Sequence, residues 1–568
     1  MMTRIDLPPE RKVGHLTLIR EARSISPKEF NALSRDERLE IIRRAHGKQK
    51  YDLIIEACDF DELISRLPAQ EVYLLVKELG FEAVPDLLAQ MSAFQITACL
   101  DLDAWQGDSL DAKSVLPWLV PLLARPDEEA ARSLYDLDFP LLVMALKSLM
   151  TVTAGPEDIE DEDARIEAIR RDGGYAVEFP DPEDAKAIGA LLALLFRQDE
   201  GFFHQLLEAV RYESRALLEE EVYQQRCRRL EDLGFPGPFE ALSVYRWLDP
   251  QTFDPRSEQK VEFAPGEEGV TPPGFLLTLA RSRDFFAEVL SDGLLPAELW
   301  ELTYLVNKVL IADRVDVGDA EAVQQSAEGV YHTLNLALEY FAESDVVAAR
   351  EMLMSCYMEH LFRVGFSVTL QLQRRAGQIA SCPIAPYLDG PFRALVEALR
   401  RRKPCFFRGI ESADQGGERP FATLREVRMT EQWLDRLDVQ RQLFIEAFPF
   451  APASPESFEL EGCIPDTGAD LALSDVFLTA LANRILGRTF DPVPIPSEEL
   501  VALHGRISVD GHLDADLRRE TVAWLDSLVA GAGVFGDYCL DVWEEEFCAI
   551  PPDELDPRYL GGLIVRLT

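Results

Sequence analysis

The residues with the clearest capacity for chemistry form a run of cations between positions 374 and 408. Arginine and lysine recur there against only Asp389 and Glu397, and two phenylalanines lie beside the run. Guanidinium groups donate paired hydrogen bonds to carboxylates and phosphates and also stack on aromatic rings. Residues 393–408 therefore predict a site for an anionic ligand. Its candidate side chains are Arg400, Arg401, Arg402, Lys403 and Arg408.

The same cations also fit an internal role. The chain carries 100 Asp and Glu against 57 Lys and Arg, which gives a formal net charge of −43. In so acidic a protein, a basic stretch is also expected to pair with neighbouring acidic helices. Both interpretations stay open at the level of sequence.

Two further patterns have the composition of metal sites. Cys356 and His360 stand at i and i+4, and thiolate and imidazole are zinc ligands, but a structural zinc needs four ligands and no others can be named. The acidic runs after Asp101 and Asp158 lack the glycine and glutamate that an EF-hand loop requires at its sixth and twelfth positions. We therefore predict no metal site: Cys356 and His360 are expected in a packed helix interface, and the acidic runs in solvated loops or helix starts.

One motif formally matches a dinucleotide-binding loop. Residues 531–536 read Gly-Ala-Gly-Val-Phe-Gly, the G-x-G-x-x-G pattern. That loop must follow a strand, whereas Val522, Leu525 and Leu528 before it have helical spacing. We predict a glycine-rich break between two helices.

The sequence has no Walker A, H-E-x-x-H or G-x-S-x-G motif, and its seven histidines are dispersed, so we predict no catalytic residue and no cofactor.

The elements that position these residues are predicted to be helices. Apolar residues recur at i, i+3, i+4 and i+7 in two neighbouring stretches of the sequence. These residues are Val72, Leu75, Val76, Leu79, Val84, Leu87, Leu88 and Met91. Pro68 and the Ser92-x-x-Gln95 capping box mark helix starts about 24 residues apart, an offset typical of stacked helical repeats. The predicted fold class is all-α, with helical repeats or bundles in several lobes and a superhelical amino-terminal part.

The same stretch carries a resemblance to a known family. The phrase LISRLPAQEVYLLVKEL…VPDLLAQMSAFQITACL, within residues 51–150, resembles the amino-terminal, FliG-like helical domain of MgtE-type magnesium transporters. This resemblance implies a response to a divalent cation, but not transport, because the membrane part is absent. The full chain is also similar to an uncharacterised bacterial family of acidic all-helical proteins, a resemblance that implies no activity.

Charge and apolar patterning disfavour several functional classes. A chain this acidic repels phosphate backbones and anionic membrane surfaces, so we expect no nucleic-acid partner. The longest clean apolar run, residues 187–196, is about half a membrane span, so we expect no membrane insertion. The amino terminus has no secretory apolar region, and the nine scattered cysteines form no C-x-x-C motif. A reducing cytoplasm is the expected location.

Shifts in composition predict the domain organisation. Residues 1–50 carry 12 Lys and Arg against 7 Asp and Glu, which indicates a basic arm with short helices that packs on the acidic body or docks an acidic partner. Residues 249–274 contain five prolines and three glycines and are predicted to be a linker. The remaining predicted domains are a helical repeat domain at 51–248, a helical domain at 275–410 and a carboxy-terminal helical domain at 421–568.

Three functional hypotheses follow. Stacked helices expose extended surfaces suited to partners, so the first hypothesis is a non-enzymatic, cytoplasmic interaction or regulatory protein with a protein partner of unknown identity. The second is an acidic protein that responds to a divalent cation. The third is an enzyme or sensor that binds an anionic ligand at residues 393–408.

Overall fold

The structure is a computed structural model that describes residues 5–6, 24–25, 27–45, 47–257, 260, 284–291, 293–412, 416–450 and 460–567. The chain forms two compact units. Unit 1 comprises Met1–Leu248 and Thr252–Arg363, and unit 2 comprises Asp249–Gln251 and Val364–Thr568. Helices dominate both units and strands are short, so the predicted all-α class is confirmed.

Both helix starts predicted from the sequence are present in unit 1. Ser92 Oγ accepts from the Gln95 N–H at 3.2 Å, and Gln95 Oε1 accepts from the Ser92 N–H at 2.9 Å, which is the predicted capping box. Pro68 directly precedes a helix that starts at Ala69. The Ser92 and Gln95 side chains satisfy backbone N–H groups that a helix start leaves without partners, whereas Pro68 makes no capping hydrogen bond. The α-helices wholly within unit 1 are α1 Pro27–Asn31, α2 Arg35–Arg44, α3 Gly47–Ile55, α4 Phe60–Arg66, α5 Ala69–Leu79, α6 Pro85–Gln90, α7 Ala93–Asp103, α8 Leu116–Leu119, α9 Asp127–Tyr135, α10 Phe139–Leu149, α11 Glu162–Asp172, α12 Pro182–Gln198, α13 Glu200–Tyr212, α14 Arg215–Asp232, α15 Pro238–Ala241, α16 Phe285–Val289, α17 Pro296–Asp313, α18 Ala320–Ala342 and α19 Val346–Ser355.

Helix α20, Met358–Ala380, contains the division between the two units. The other helices of unit 2 are α21 Gly390–Leu399, α22 Leu424–Gln442, α23 Leu473–Ile485, α24 Leu500–Ile507, α25 Ala515–Leu528 and α26 Gly533–Trp543. Residues 258–259 and 261–274 of the predicted linker lie outside the described residues, as do residues 1–4, 7–23, 26 and 46 of the predicted basic arm. The predicted domain boundaries stay a prediction.

The strands pair into small local sheets. Antiparallel pairs in unit 1 join β1 Ile5–Asp6 to β2 Ser24–Ile25, β3 Trp105–Gln106 to β4 Ser109–Leu110, and β5 Thr151–Ala154 to β6 Ala176–Glu178. Those in unit 2 join β7 Cys405–Phe407 to β8 Glu418–Pro420 and β11 Ser508–Val509 to β12 His512–Leu513. The remaining sheet has the order β10 Ile495–Pro496, β13 Val565–Arg566 and β9 Cys463–Ile464.

The core of unit 1 contains the predicted apolar stripe. Val72, Val76, Val84 and Leu87 are each 0% exposed and belong to one apolar cluster. Helices α5 and α7 begin 24 residues apart, at the two predicted starts, and pack against each other. The wider repeat architecture stays a prediction.

A buried ion network ties three helices of unit 1 together. Arg229 of α14 donates to both carboxylate oxygens of Asp101 in α7, at 2.6 and 2.9 Å. Its remaining terminal nitrogen donates to Asp138, the N-cap of α10, at 2.6 Å. Asp101 is fully buried, so this guanidinium supplies the counter-charge that such a carboxylate requires.

The core of unit 2 is rich in aromatic rings. Phe477 of α23 is fully buried, stacks on Phe448 at 6.0 Å and contacts Phe535 at 5.6 Å.

Within the part of the chain that the structure describes, no helix is both long and apolar enough to cross a membrane.

Candidate functional site

The predicted anion-binding residues lie where α21 ends. Arg400 is the C-cap of this helix, and its backbone N–H donates to the Val396 carbonyl at 3.1 Å. The negative end of a helix dipole favours cations, which is a local reason for basic residues at this position. Arg400, Arg401, Arg402 and Lys403 follow one another with exposed side chains, and Arg408 is exposed as well. We call residues 400–408 the basic turn.

A short hairpin fixes the basic turn. Strand β7 pairs with β8 so that Phe406 lies opposite Arg419. Phe406 is fully buried and contacts Phe421 at 5.7 Å, while the Arg419 guanidinium lies 4.7 Å from the centre of the Phe406 ring. Phe406 therefore belongs to the core, and its ring does not serve as a stacking surface for a ligand as the sequence pattern suggested.

The cations of the basic turn are less fully paired than the best-paired arginines of unit 2. Elsewhere in unit 2, Arg518 contacts three carboxylates and Arg375 contacts two. Arg401 pairs with Glu418 at 2.9 Å, as expected if the basic residues pair with acidic groups of the same chain. Arg400 and Arg402 form no ion pair with a described residue. The basic turn thus presents two unneutralised guanidinium groups on a protein with an excess of carboxylates.

The residues considered for metal binding are not brought together with further ligands. Cys356 is buried at the end of α19, where its Sγ lies 3.6 Å from the Tyr357 carbonyl oxygen. The His360 ring packs against the rings of Phe253 and Tyr357. Among the described residues, no group of three His, Cys, Asp or Glu side chains is arranged to hold a metal ion.

The acidic runs that resemble calcium loops are engaged in ion pairs. Asp101 is bound by Arg229, and Asp158 accepts from Arg211 at 2.7 Å. Arg211 and the Gly155 N–H both bind the Asp158 side chain and lower its pKa, with the backbone hydrogen bond as the larger cause. These carboxylates already have partners within unit 1. Asp101 is fully buried near the end of α7, so the prediction of a solvated loop or helix start is wrong for this residue.

The G-x-G-x-x-G motif lies between two helices. Helix α25 ends at Leu528, and α26 begins at Gly533, inside the motif. The Gly533 N–H donates to the Asp526 side chain at 2.7 Å. This arrangement matches the predicted helix–helix break, because neither element beside the motif is a strand.

Unit 2 also holds a buried acidic site that the sequence reasoning missed. Asp389 directly precedes α21 and is 4% exposed. Its Oδ1 accepts from Ser474 Oγ, whereas its Oδ2 has no hydrogen-bond partner among the described residues. Asp475, also largely buried, accepts from the Ala472 N–H at 2.8 Å at the start of α23. The sequence signal at this place was an aspartate directly before Gly390. That pattern indicates a helix start but does not indicate a buried acid.

The physical environment makes Asp389 difficult to ionise. Burial raises its pKa, the hydrogen bond from Ser474 opposes that rise, and the charge of Asp475 adds to it, which leaves the pKa at about 6. Burial likewise raises the pKa of Asp475 and raises that of the nearby Cys539 thiol well above its usual value. Among the described residues, no lysine or arginine forms an ion pair with Asp389 or Asp475. The site is an uncompensated acidic pocket.

Comparison with known proteins gives a family without an activity. A family model described as a family of unknown function, DUF6178, matches residues 27–566. No curated protein and no solved structure matches the chain. Because the match covers nearly the whole length, the predicted similarity to an uncharacterised family is confirmed, and the chain belongs to the family of unknown function DUF6178.

Proposed function

We propose that this protein is a non-catalytic binding protein that recognises an acidic segment of a protein partner through the basic turn. The observation that supports the proposal is the presence of exposed, unneutralised guanidinium groups at Arg400 and Arg402 on a chain of net charge −43. Carboxylates compete for every cation on such a surface, so arginines that remain outside ion pairs are suited to carboxylates from another molecule.

The shape of the basic turn favours an extended acidic segment over a small anion. Its cations lie on a helix end and a hairpin, and the side chains of Arg400, Arg401, Arg402, Lys403 and Arg408 are exposed. Small ligands are usually held in concave sites that cover most of their surface. A peptide with several carboxylates contacts such a row of charges without needing a cavity.

A direct binding measurement tests the proposal. A fluorescent peptide of about 15 residues rich in Asp and Glu is titrated with the full chain and with the variant Arg400→Glu/Arg402→Glu. We expect the variant to bind at least about tenfold more weakly, because two attractive charge pairs become repulsive. The affinity of the unchanged protein is expected to fall as salt is raised.

The matched control is Arg66→Glu/Arg132→Glu. It changes the net charge by the same amount at exposed positions in unit 1 and is expected to bind the peptide like the unchanged protein. Equal losses in both variants would show that only net charge matters and would contradict a site at the basic turn. Displacement of the peptide by an equal concentration of inorganic phosphate would instead favour the hypothesis of a small anionic ligand.

The other predicted features stay predictions. They are the resemblance of residues 51–150 to the magnesium-transporter domain, a response to a divalent cation, and a cytoplasmic location. The first hypothesis is preferred over the small-ligand hypothesis because the unpaired arginines have exposed side chains, which suit an extended acidic segment.

A further inference from the structure

Asp389 stands in a capping position that it does not use. It precedes the first residue of α21, yet its side chain makes no capping hydrogen bond to that helix. The carboxyl instead turns inward to Ser474 at the start of α23, and Oδ2 is left buried without a partner. A buried polar atom without a hydrogen bond is unfavourable, so a carboxylate in this position needs a specific explanation.

The groups around Asp389 are acidic or weakly acidic on every side. The start of α23 contributes Asp475, and α26 contributes Tyr538 and Cys539, whose ionised forms Asp389 would repel. Glu546 lies on the turn that follows α26, and its negative charge raises the pKa of both Tyr538 and Asp475.

The remaining neighbour is also acidic. The turn Gly468–Asp470 packs against Ala385–Tyr387, just before Asp389, and its Asp470 side chain is exposed. Burial raises the pKa of Tyr387 to about 12, so this phenol stays neutral. In the described residues, therefore, the pocket offers Asp389 no cation to balance its charge.

A proton is the cation that fits this pocket. Among the described residues, no third metal-binding side chain is arranged with Asp389 and Asp475. A proton on Oδ2 needs only that oxygen and removes the buried charge.

We propose that Asp389 is a proton-binding switch that holds the start of α21 against the start of α23 when neutral and releases it when ionised. On ionisation the proton leaves Oδ2 for bulk water, and the carboxylate becomes suited to cap α21, where the helix dipole and free N–H groups favour a negative charge. The switch is a property of unit 2 and does not depend on the partner proposed for the basic turn.

The alkylation of Cys539 reports on this switch. Cys539 is fully buried on α26 beside Asp389, so iodoacetamide reaches it only when the site opens. The full chain and the variant Asp389→Asn are treated between pH 5 and pH 8, and labelling is measured for the Cys539 peptide by mass spectrometry. Asparagine has the shape of the neutral acid, so the variant stays closed at every pH.

The expected result is a ratio of rates that depends on pH. The unchanged protein and Asp389→Asn are expected to label at the same rate at pH 5, and the unchanged protein at least about tenfold faster at pH 8. Both proteins carry the same thiol, so the intrinsic pH dependence of its ionisation affects both labelling rates equally and cancels in their ratio. Cys99, fully buried in unit 1, and the exposed-site variant Asp553→Asn serve as controls and are expected to show no such change in the ratio.

A ratio that stays constant from pH 5 to pH 8 would overturn the proposal. If Asp389→Asn fails to fold, hydrogen exchange of the unchanged protein decides the question. After correction for intrinsic exchange, protection at the starts of α21 and α23 is expected to fall with rising pH while protection in α22 stays constant. Equal behaviour of the three helices would also overturn the proposal.

Discussion

Replacing Arg229 by alanine tests how unit 1 is held together. The change removes three hydrogen bonds of 2.6 to 2.9 Å and takes the hydrogen-bonded counter-charge from the fully buried Asp101, which keeps only the charge of Arg226 nearby. Removing one partner of a buried ion pair costs about 3–5 kcal/mol, because the remaining charge stays desolvated. Asp138 is less buried and is reached by solvent, so we assign most of the loss to Asp101.

The control lies on the same helix. Arg215, also in α14, pairs with Glu219 at 2.8 Å, but both side chains are largely exposed. Exposed pairs of this kind contribute less than about 0.5 kcal/mol, so Arg215→Ala should leave stability nearly unchanged. The assay is urea unfolding, combined with hydrogen exchange in α7 and α14 to assign the transition to unit 1. Equal midpoints for Arg229→Ala and Arg215→Ala would refute the structural role given to the network.

The pH dependence adds a second check on the same variant. Burial raises the pKa of Asp101, while the hydrogen bond and charge of Arg229 lower it. Without Arg229 the pKa of Asp101 rises further, so the folded variant binds a proton that the unfolded chain does not hold. An acid with a raised folded-state pKa gives stability at low pH that is lost as pH rises. The deficit of Arg229→Ala is therefore expected to be smaller at pH 5 than at pH 8.

Three further predictions concern local interactions. Ser92→Ala removes the capping box of α7 and is expected to lower the free energy of unfolding by about 1 kcal/mol, measured by urea titration. Phe477→Ala empties a fully buried aromatic position in unit 2 and should cost about 3–5 kcal/mol in the same assay, with the exposed Tyr559→Ala as control. The Asp389 pKa of about 6, against 3.8 in the unfolded chain, predicts that the stability of unit 2 falls by roughly 3 kcal/mol as pH rises through this interval. In Asp389→Asn that fall should disappear from calorimetric scans; a fall of the same size would assign it to other groups.

Local patterns in the sequence predicted local structure well. The apolar spacing around Val72 and Val84 placed the core faces of two helices, and the Ser92-x-x-Gln95 pattern predicted a helix start that the structure confirms. The helical spacing before Gly531 also predicted a break between helices rather than a nucleotide loop. These predictions succeed because each depends on groups within a few residues of one another.

Contacts between distant residues could not be predicted in this way. Asp101 and Arg229 are 128 residues apart, and Asp389 and Ser474 are 85 apart, so nothing in their local sequence pairs them. The position of Phe406 beside several arginines suggested a ligand site, but strand pairing turns its ring into the core. For the basic turn, the charged residues could be identified from the sequence, whereas only the fold shows which of them form ion pairs.

The distribution of ion pairs indicates where a partner would gain most. Cations are the scarcer charge in this chain, and Arg229, Arg375 and Arg518 each engage more than one carboxylate. The basic turn contrasts with these arginines. Arg400, Arg401 and Arg402 repel one another at a helix end, and among the described residues only Arg401 of the three has an acidic partner. A partner that brings carboxylates to this turn relieves that repulsion, whereas the net charge of −43 disfavours contacts of the same partner elsewhere on the protein. Attraction at one turn and repulsion elsewhere would give the interaction a single orientation without requiring a deep pocket.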